Sequence, residues 1–384
     1  MNSSLRRSLL VVHRWTGLTV GSVVTVLALT GAAMMFRPQL DPIVNRDLLS
    51  VERCTGQGSL DLMTARALAA HPDGKIDFIR VVRGQAGTDR MPASWIRFID
   101  KETFYFDPCT ARLLGQENRY GGWFGSIENI HRFRFMGGGS LVTGTSALAF
   151  ALILIFGGLL LWLPPKLKGL GKAARFNSRL RGAPRRLSLH RFVGLYAAPV
   201  VLLSALTGLP QAFGWYKDLV YAVAGSSQPD EAPNSSVPPN PRRLSMDAYL
   251  GKALQLSPNP QEVQFRYPVK PSDPIEGFLI ERGAPHPNAR SMFYLDAYSG
   301  KTLAFRPYAQ ETAGHRFYFW TLTWHHGLVG GLFTQILLFL GALAIPVLAY
   351  TGISNYLRRR LKSARDTSAR VGRPEATPNA SIEA

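Results

Sequence analysis

Acid is what this chain of 384 residues lacks most: 25 Asp and Glu stand against 44 Lys and Arg, a formal charge of +19. Between Pro164 and Leu189 there is no acid at all. No glycine-rich turn follows a strand-like run, which excludes a bound nicotinamide or flavin nucleotide held by the usual fingerprint. No carboxylate or thiolate stands in ligand spacing with the histidines, which argues against a mixed-ligand metal site. No small-x-small cleavage site precedes Arg37, and the apolar run before it is too long for a secretory signal, so that run reads as a retained anchor. Only two cysteines occur, Cys54 and Cys109.

Long apolar runs are plentiful. Trp15 to Phe36, Leu141 to Leu163, Phe192 to Tyr216 and Leu332 to Tyr356 each suffice for a bilayer crossing, which needs about 20 residues. The 164–189 linker, the tail from Arg358, and Arg6, Arg7, Arg14 and Arg191 together hold nineteen basic residues against three acids. By the positive-inside rule both termini and the linker are cytoplasmic. Clusters that hug membrane ends in this way are a topological signal, and nucleic acid is not an expected partner. Both cysteines fall in the first outside segment, where an oxidising compartment makes a Cys54–Cys109 disulfide the expectation.

The chain reads as one architecture written twice. "VHRWTGLTV" around His13 matches "LHRFVGLYA" around His190, and Thr30-Gly31 falls on Thr207-Gly208 without a gap. With His131 placed on His325, Gly158 falls on Gly352, and "FYFDPCTARLLG" resembles "FYLDAYSGKTLA". The expected fold is therefore a membrane protein of four transmembrane helices in two parallel repeats, each helix, outside α+β domain, helix, about a pseudo-two-fold axis. Its parts are residues 1–36 (first helix), 37–130 (first outside domain), 131–163 (second helix), 164–189 (linker), 190–216 (third helix), 217–324 (second outside domain), 325–357 (fourth helix) and 358–384 (basic tail with the composition of disorder). "DLMTARALAAHP" and "SMDAYLGKALQLSP" read as helices, and "ASWIRFID", "TFYFD", "EGFLIE" and "SMFYLD" as strands, giving each domain a small sheet of its own. The Pro/Ser-rich stretch after Gly225 reads as a mobile loop.

Histidines cluster at the membrane mouths. Under the repeat, His13 faces His190 on the inner side and His131 faces His325 on the outer side. His326 and His315, the latter in "GHRFYFW", stand as alternatives to His325. Facing imidazoles across an apolar space are what six-coordinate b-type haem requires, so two haems b are expected. Gly17 and Gly194, one turn after their histidines, leave room for a flat macrocycle, and Arg14, Arg191 and Arg132 suit propionate carboxylates. A plainer reading treats each His-Arg pair as an interfacial anchor. Trp123, Phe124, Phe317, Tyr318, Trp320 and Trp324 form an aromatic belt, or line a substrate or electron path. His71 and His286, beside prolines, read as surface residues.

These residues as a set, with the Thr-Gly ends and the "WHHGLVGG" segment before the last helix, resemble the PepSY-associated transmembrane family, and among it the bacterial inner-membrane siderophore reductases of the ferrioxamine type. Ala111 departs from the pattern, where the second domain keeps Gly300. The resemblance implies two periplasmic PepSY-like domains and a di-haem oxidoreductase of the inner membrane. It would pass electrons to a ferric siderophore, of hydroxamate type, and release Fe(II) for iron uptake. The electron donor is then a partner, quinol or a cytoplasmic reductase. Two other classes compete: a haem-free siderophore permease and a PepSY-type regulatory or signalling protein.

Overall fold

The computed structural model describes residues 3–371 apart from 55, 84–88, 165–166 and 258. Helix α1 (Ser3–Met34) is followed by two short helices, α2 (Arg37–Val44) and α3 (Arg46–Leu49), and by strand β1 (Ser50–Glu52). The first outside segment continues with α4 (Leu60–Ala70), β2 (Ile76–Val82), β3 (Arg90–Pro92), β4 (Ser94–Phe98), β5 (Glu102–Phe106), β6 (Leu113–Asn118) and α5 (Gly122–His131). A second membrane-length helix comprises α6 (Gly139–Ala149), a π-helical stretch Phe150–Phe156 and α7 (Gly157–Trp162). After α8 (Leu170–Ala173) in the linker comes α9 (Gly182–Gly208), then α10 (Gly214–Val223), α11 (Met246–Leu256), β7 (Pro260–Arg266), β8 (Ile275–Glu281), β9 (Arg290–Leu295), β10 (Thr302–Arg306), α12 (Ala313–His325) and α13 (Gly331–Val371).

Four helical stretches, Ser3–Met34, Gly139–Trp162, Gly182–Gln211 and Gly331–Leu361, are long and apolar enough to cross a membrane. With the sheet between them, they make this a multi-pass membrane protein. Both α1 and α9 pack on α13. Where they meet, Val24, Ala197, Ala198, Val201, Phe150, Ile155 and Ile345 form one buried apolar cluster. Each second helix is perturbed mid-membrane, by the π-helical stretch in one case and by Pro346 in the other. A π turn or an internal proline changes which backbone groups pair along the helix.

Several boundaries differ from the sequence expectation, and the backbone explains them. His131 and His325 do not begin the second and fourth spans; they close the separate helices α5 and α12. Glycines with left-handed φ, Gly138 at +76° on one side and Gly327, Gly330 and Gly331 at +62° to +75° on the other, turn the chain before α6 and α13 start. The third span gives way at Pro210 to a 3-10 turn, and α10 then opens the second outside segment at Gly214. At the C-terminus α13 continues past Lys362 to Val371, where composition reads as disorder; residues 372–384 of that tail lie outside the described residues.

The larger correction concerns the sheet. Two separate sheets are expected, but β2 pairs antiparallel with β7 and joins them into one eight-stranded sheet of order β10-β9-β8-β7-β2-β4-β5-β6. The seam runs from Phe78 opposite Arg266 to Val82 opposite Glu262. Alternation along the strands sends Ile79, Val81, Ile96, Val263, Phe265 and Phe293 to one face, where α4 and α11 cover them in a single buried core. Both helices begin at a serine N-cap, Ser59 and Ser245, whose hydroxyls accept from the N–H of Leu62 and Ala248. The stretch expected to be mobile is anchored: Ser235 is buried, its N–H donates to the carbonyl of Ser272, and its hydroxyl accepts from the N–H of Ala297.

The two Asp turns behave alike. Asp107 accepts from the N–H of Cys109, and Asp296 from those of Tyr298 and Ser299. Ala111 occupies the left-handed conformation that Gly300 takes in the other turn, φ +56° against +67°. For an alanine this costs about 1–2 kcal/mol. Cys54 and Cys109 form a disulfide, with Cα atoms 6.3 Å apart.

Candidate functional site

The inner histidines come together from α1 and α9. Their ring centroids lie 6.3 Å apart with the planes 85° to each other. Each Nδ1 faces a polar group on the neighbouring helix: that of His13 the carbonyl of Ile153 at 3.4 Å, that of His190 the Thr351 hydroxyl at 2.9 Å and the Leu348 carbonyl at 3.1 Å. Glycines on those helices make the approach possible. A Cβ on Gly158 would sit 3.2 Å from Cε1 of His13, and one on Gly352 3.7 Å from Cε1 of His190.

On the outer side the same construction recurs with the roles of the helices exchanged. His131 and His325 lie with ring centroids 6.4 Å apart. Nδ1 of His131 meets the Thr30 hydroxyl at 3.0 Å, and Nδ1 of His325 the carbonyl of Ser204 at 3.0 Å. Gly31 and Gly208 are the open positions beside these rings: an added Cβ would lie 3.2 Å and 2.8 Å from their respective Cε1 atoms. An imidazole whose Nδ1 is engaged by a carbonyl or hydroxyl is held in one orientation and offers Nε2 to a metal.

The spacing of each pair, and the surroundings of the inner one, fit a metal shared between the two rings. Two metal–nitrogen bonds of about 2 Å each, with the ring radii added, put ring centres about 6 Å apart. Around the inner pair a cavity of about 440 Å³ opens between the helices. Its depth is apolar, lined by Val24, Phe150, Val201 and Ile345, and its mouth is basic, with Arg6, Arg14, Arg191, Arg359 and Arg360. Gly17 and Gly194 line the same wall. An apolar slot with guanidinium groups at one end suits a flat, greasy macrocycle carrying carboxylates. Residues 10–359 match the family described as the PepSY-associated TM region.

The chain belongs to that family. No curated protein sequence matches it. In this PepSY-associated membrane protein the remaining histidines sit elsewhere. His326 caps α12 beside His325, with ring centroids 6.0 Å apart, while His325 is the one that meets His131. His315 lies at the other end of α12, buried against Tyr221, whose hydroxyl is 3.3 Å from its Nδ1. Burial drives His315 down to about 4 and pushes Glu311, 3.8 Å away, up against the opposing pull of Arg306. His286 is not a surface residue as expected. It is buried between Tyr308, whose hydroxyl lies 2.7 Å from Nε2, and the hydroxyl of Thr323, 3.0 Å from Nδ1. His71 pairs with Asp100 at 2.7 Å.

Arg132 is separated from the cavity that holds Arg14 and Arg191. It belongs to a cluster around Glu128, a carboxylate 12% exposed that is gripped by Arg119 at 2.9 Å, Arg37 at 3.2 Å and Arg132 at 3.4 Å. Burial alone would raise Glu128, but Arg119 first, then Arg37 and Arg132, hold it below the usual carboxylate range. The cluster ties α5, and so His131, to the start of α2. Sequence reasoning names none of Glu128, Thr351 or the carbonyls of Ile153, Leu348 and Ser204. It meets Thr30 and the four ring-facing glycines only as markers of the repeat; their recurrence near each histidine is the signal that assigns them a role.

Proposed function

We propose that this protein is a di-haem reductase of the bacterial inner membrane, with haem b held by His13 and His190 on the cytoplasmic side and by His131 and His325 on the periplasmic side, passing electrons to a ferric siderophore. The observation that carries this reading is the twofold recurrence of one design: an imidazole pair about 6 Å apart, each Nδ1 facing a carbonyl or hydroxyl, each ring beside a glycine. Interfacial anchoring asks for a charge at the lipid boundary, not for four oriented rings in two facing pairs. A permease or a regulatory module leaves those pairs without a task. Bound there, haem iron supplies a reversible one-electron step.

The chain's own residues do the rest. Thr351, Thr30 and the three helix carbonyls fix the ring orientations, and Arg14 and Arg191 neutralise acidic groups at the cavity mouth. Ferric iron prefers hard anionic oxygen donors more strongly than ferrous iron does, so adding one electron loosens the chelate and frees Fe(II) without breaking the ligand. His13 and Gly31, which mark the two levels on α1, are eighteen residues apart, about 27 Å along the helix. The inner cavity reaches inward to Val24, which leaves seven residues, about 10 Å of helix, to the outer level.

The two halves read as parallel repeats about an axis normal to the membrane. Support comes from the matched histidine and glycine positions, the two alike Asp turns, and the antiparallel β2–β7 seam. The charge distribution supports cytoplasmic termini. The electron donor is quinol or a cytoplasmic reductase.

The test is direct. Detergent-purified protein is reduced with dithionite, freed of excess reductant and mixed with a ferric siderophore in the presence of a ferrous-specific chromophore. Reoxidation of the haem bands in step with appearance of the Fe(II) complex is expected, and His131→Ala should lose one haem and this reaction together. A reduced protein that no ferric chelate reoxidises would overturn the reading.

A further inference from the structure

The sheet has a second face, turned away from α4 and α11. Strand register lays Trp95, Arg80, Gln264, Phe278 and Met292 side by side across it, from β4 to β9. Arg97 stands on the same face of β4, and Arg290 on that of β9. This face looks toward the helices that carry the outer histidines. The Arg290 guanidinium lies 5.2 Å from the ring centre of Phe319 on α12, six residues before His325, and Arg97 is within electrostatic reach of Glu128 on α5.

Most arginines near it have a carboxylate: Arg80 has Glu262, Arg306 has Glu311, and Arg119 and Arg132 share Glu128. Arg97 and Arg290 have none at ion-pair distance among the described residues; each feels one only at longer range, Glu128 and Glu262 respectively. Arg97 donates to the Thr103 hydroxyl, at 3.0 Å, and lies 4.3 Å over the Trp95 ring. Arg290 lies 4.4 Å over Phe278 and reaches Asn288 at 3.4 Å, and its Nε is buried with no hydrogen-bond partner. Burial pulls both below the usual guanidinium range, Arg97 to about 10. A buried cation with no carboxylate at ion-pair distance is costly, and a buried N–H without an acceptor calls for an explanation, which a bound anion would supply. The flat rings beneath the two guanidiniums hold them in place without neutralising them.

We propose that this face is where the acceptor chelate binds, and that it selects complexes of net negative charge, whose free carboxylate or other anionic oxygens pair with Arg97 and Arg290 while Trp95 and Phe278 pack against the ligand's apolar parts. The identity of the ligand as a metal chelate rests on the reductase reading; its charge rests on the two unpaired guanidiniums. A neutral tris-hydroxamate offers no anionic oxygen beyond those already bound to the metal and binds more weakly here.

The probes are redox-inert gallium(III) complexes, gallium citrate as the anion and gallium tris-acetohydroxamate as the neutral complex, titrated calorimetrically into the full chain in detergent. Gallium citrate should bind at least tenfold more tightly, and its affinity should fall as salt rises. Arg97→Gln and Arg290→Gln should each weaken it tenfold or more, while Arg97→Lys and Arg290→Lys, which keep the charge, retain most of it. Equal binding of the two probes, no binding of gallium citrate at millimolar concentration, or glutamine variants that bind it as the parent does would overturn the proposal. Should the glutamine variants fail to fold, the parent protein decides: affinity for gallium citrate that does not respond to salt overturns it. Because gallium(III) takes no electron here, the two readings fail separately. A protein that reduces ferric chelates without regard to charge loses this site and keeps its function, and one that binds gallium citrate as stated but reduces nothing loses the function and keeps the site.

Discussion

Asp61 and Asp247 each cap the helix to which the other belongs. Asp61 Oδ1 accepts from the N–H of Met246 at 2.7 Å, and Asp247 Oδ1 from the N–H of Leu60 at 2.6 Å. Carboxylates at helix N-termini satisfy orphan amides and meet the positive end of the helix dipole. This exchange welds α4 to α11 above the β2–β7 seam, so the two outside segments behave as one body.

The weld responds to pH. Burial would raise Asp247, but the Ser59 hydroxyl and the amides of Leu60 and Asp61 outweigh it and hold the carboxyl below its usual value. A group depressed in the folded state stabilises above its unfolded pKa, near 3.9, and loses that contribution as pH falls through the folded value. Thermal unfolding of the outside domain should therefore weaken below about pH 4, and Asp247→Asn should lower Tm at neutral pH and flatten the acid limb of the profile.

Ring-facing glycines should rank by the room they leave. Alanine at Gly208 puts Cβ 2.8 Å from the His325 ring, at Gly31 and Gly158 3.2 Å from His131 and His13, and at Gly352 3.7 Å from His190. Haem retained per chain, measured as pyridine haemochrome, should fall most in Gly208→Ala, less in Gly31→Ala and Gly158→Ala, and least in Gly352→Ala.

Removing Glu128 leaves three guanidiniums facing one another. Breaking a buried ion pair from one side costs about 3–5 kcal/mol. Glu128→Gln should lower Tm by several degrees in detergent and loosen α5, whereas Glu281→Gln, changed at the half-buried end of β8, should move it far less.

Reduction of the disulfide tests the first outside segment. It closes a loop 55 residues long, for which chain entropy gives about 4 kcal/mol. Dithiothreitol should lower the Tm of the sheet. Proteolysis should then cut first between Cys54 and Cys109.

Much of this was legible in the residues because it repeats. Helix spans follow from long apolar runs, and the His and Gly positions follow from two copies of one motif, which also favours His325 over His326. Contacts between distant segments were not legible. "IDFIRVV" and "PQEVQFR" look like ordinary strands, and nothing local says that they pair with each other across 180 residues. Ser235 sits in a Pro/Ser-rich stretch whose composition reads as loop, yet its hydroxyl is needed by Ala297. The prolines around His286 signalled a turn correctly but not its burial, which depends on Trp320 and Tyr308 closing over it.

The central claim is that two pairs of histidines hold two haems. A pyridine haemochrome on the purified chain, with spectra of the oxidised and reduced forms, tests it most directly. The account predicts two haems b per chain with six-coordinate low-spin bands, falling to one in His131→Ala and in His190→Ala. A colourless protein purified from haem-sufficient cells, or a haem content unchanged in both variants, would contradict it.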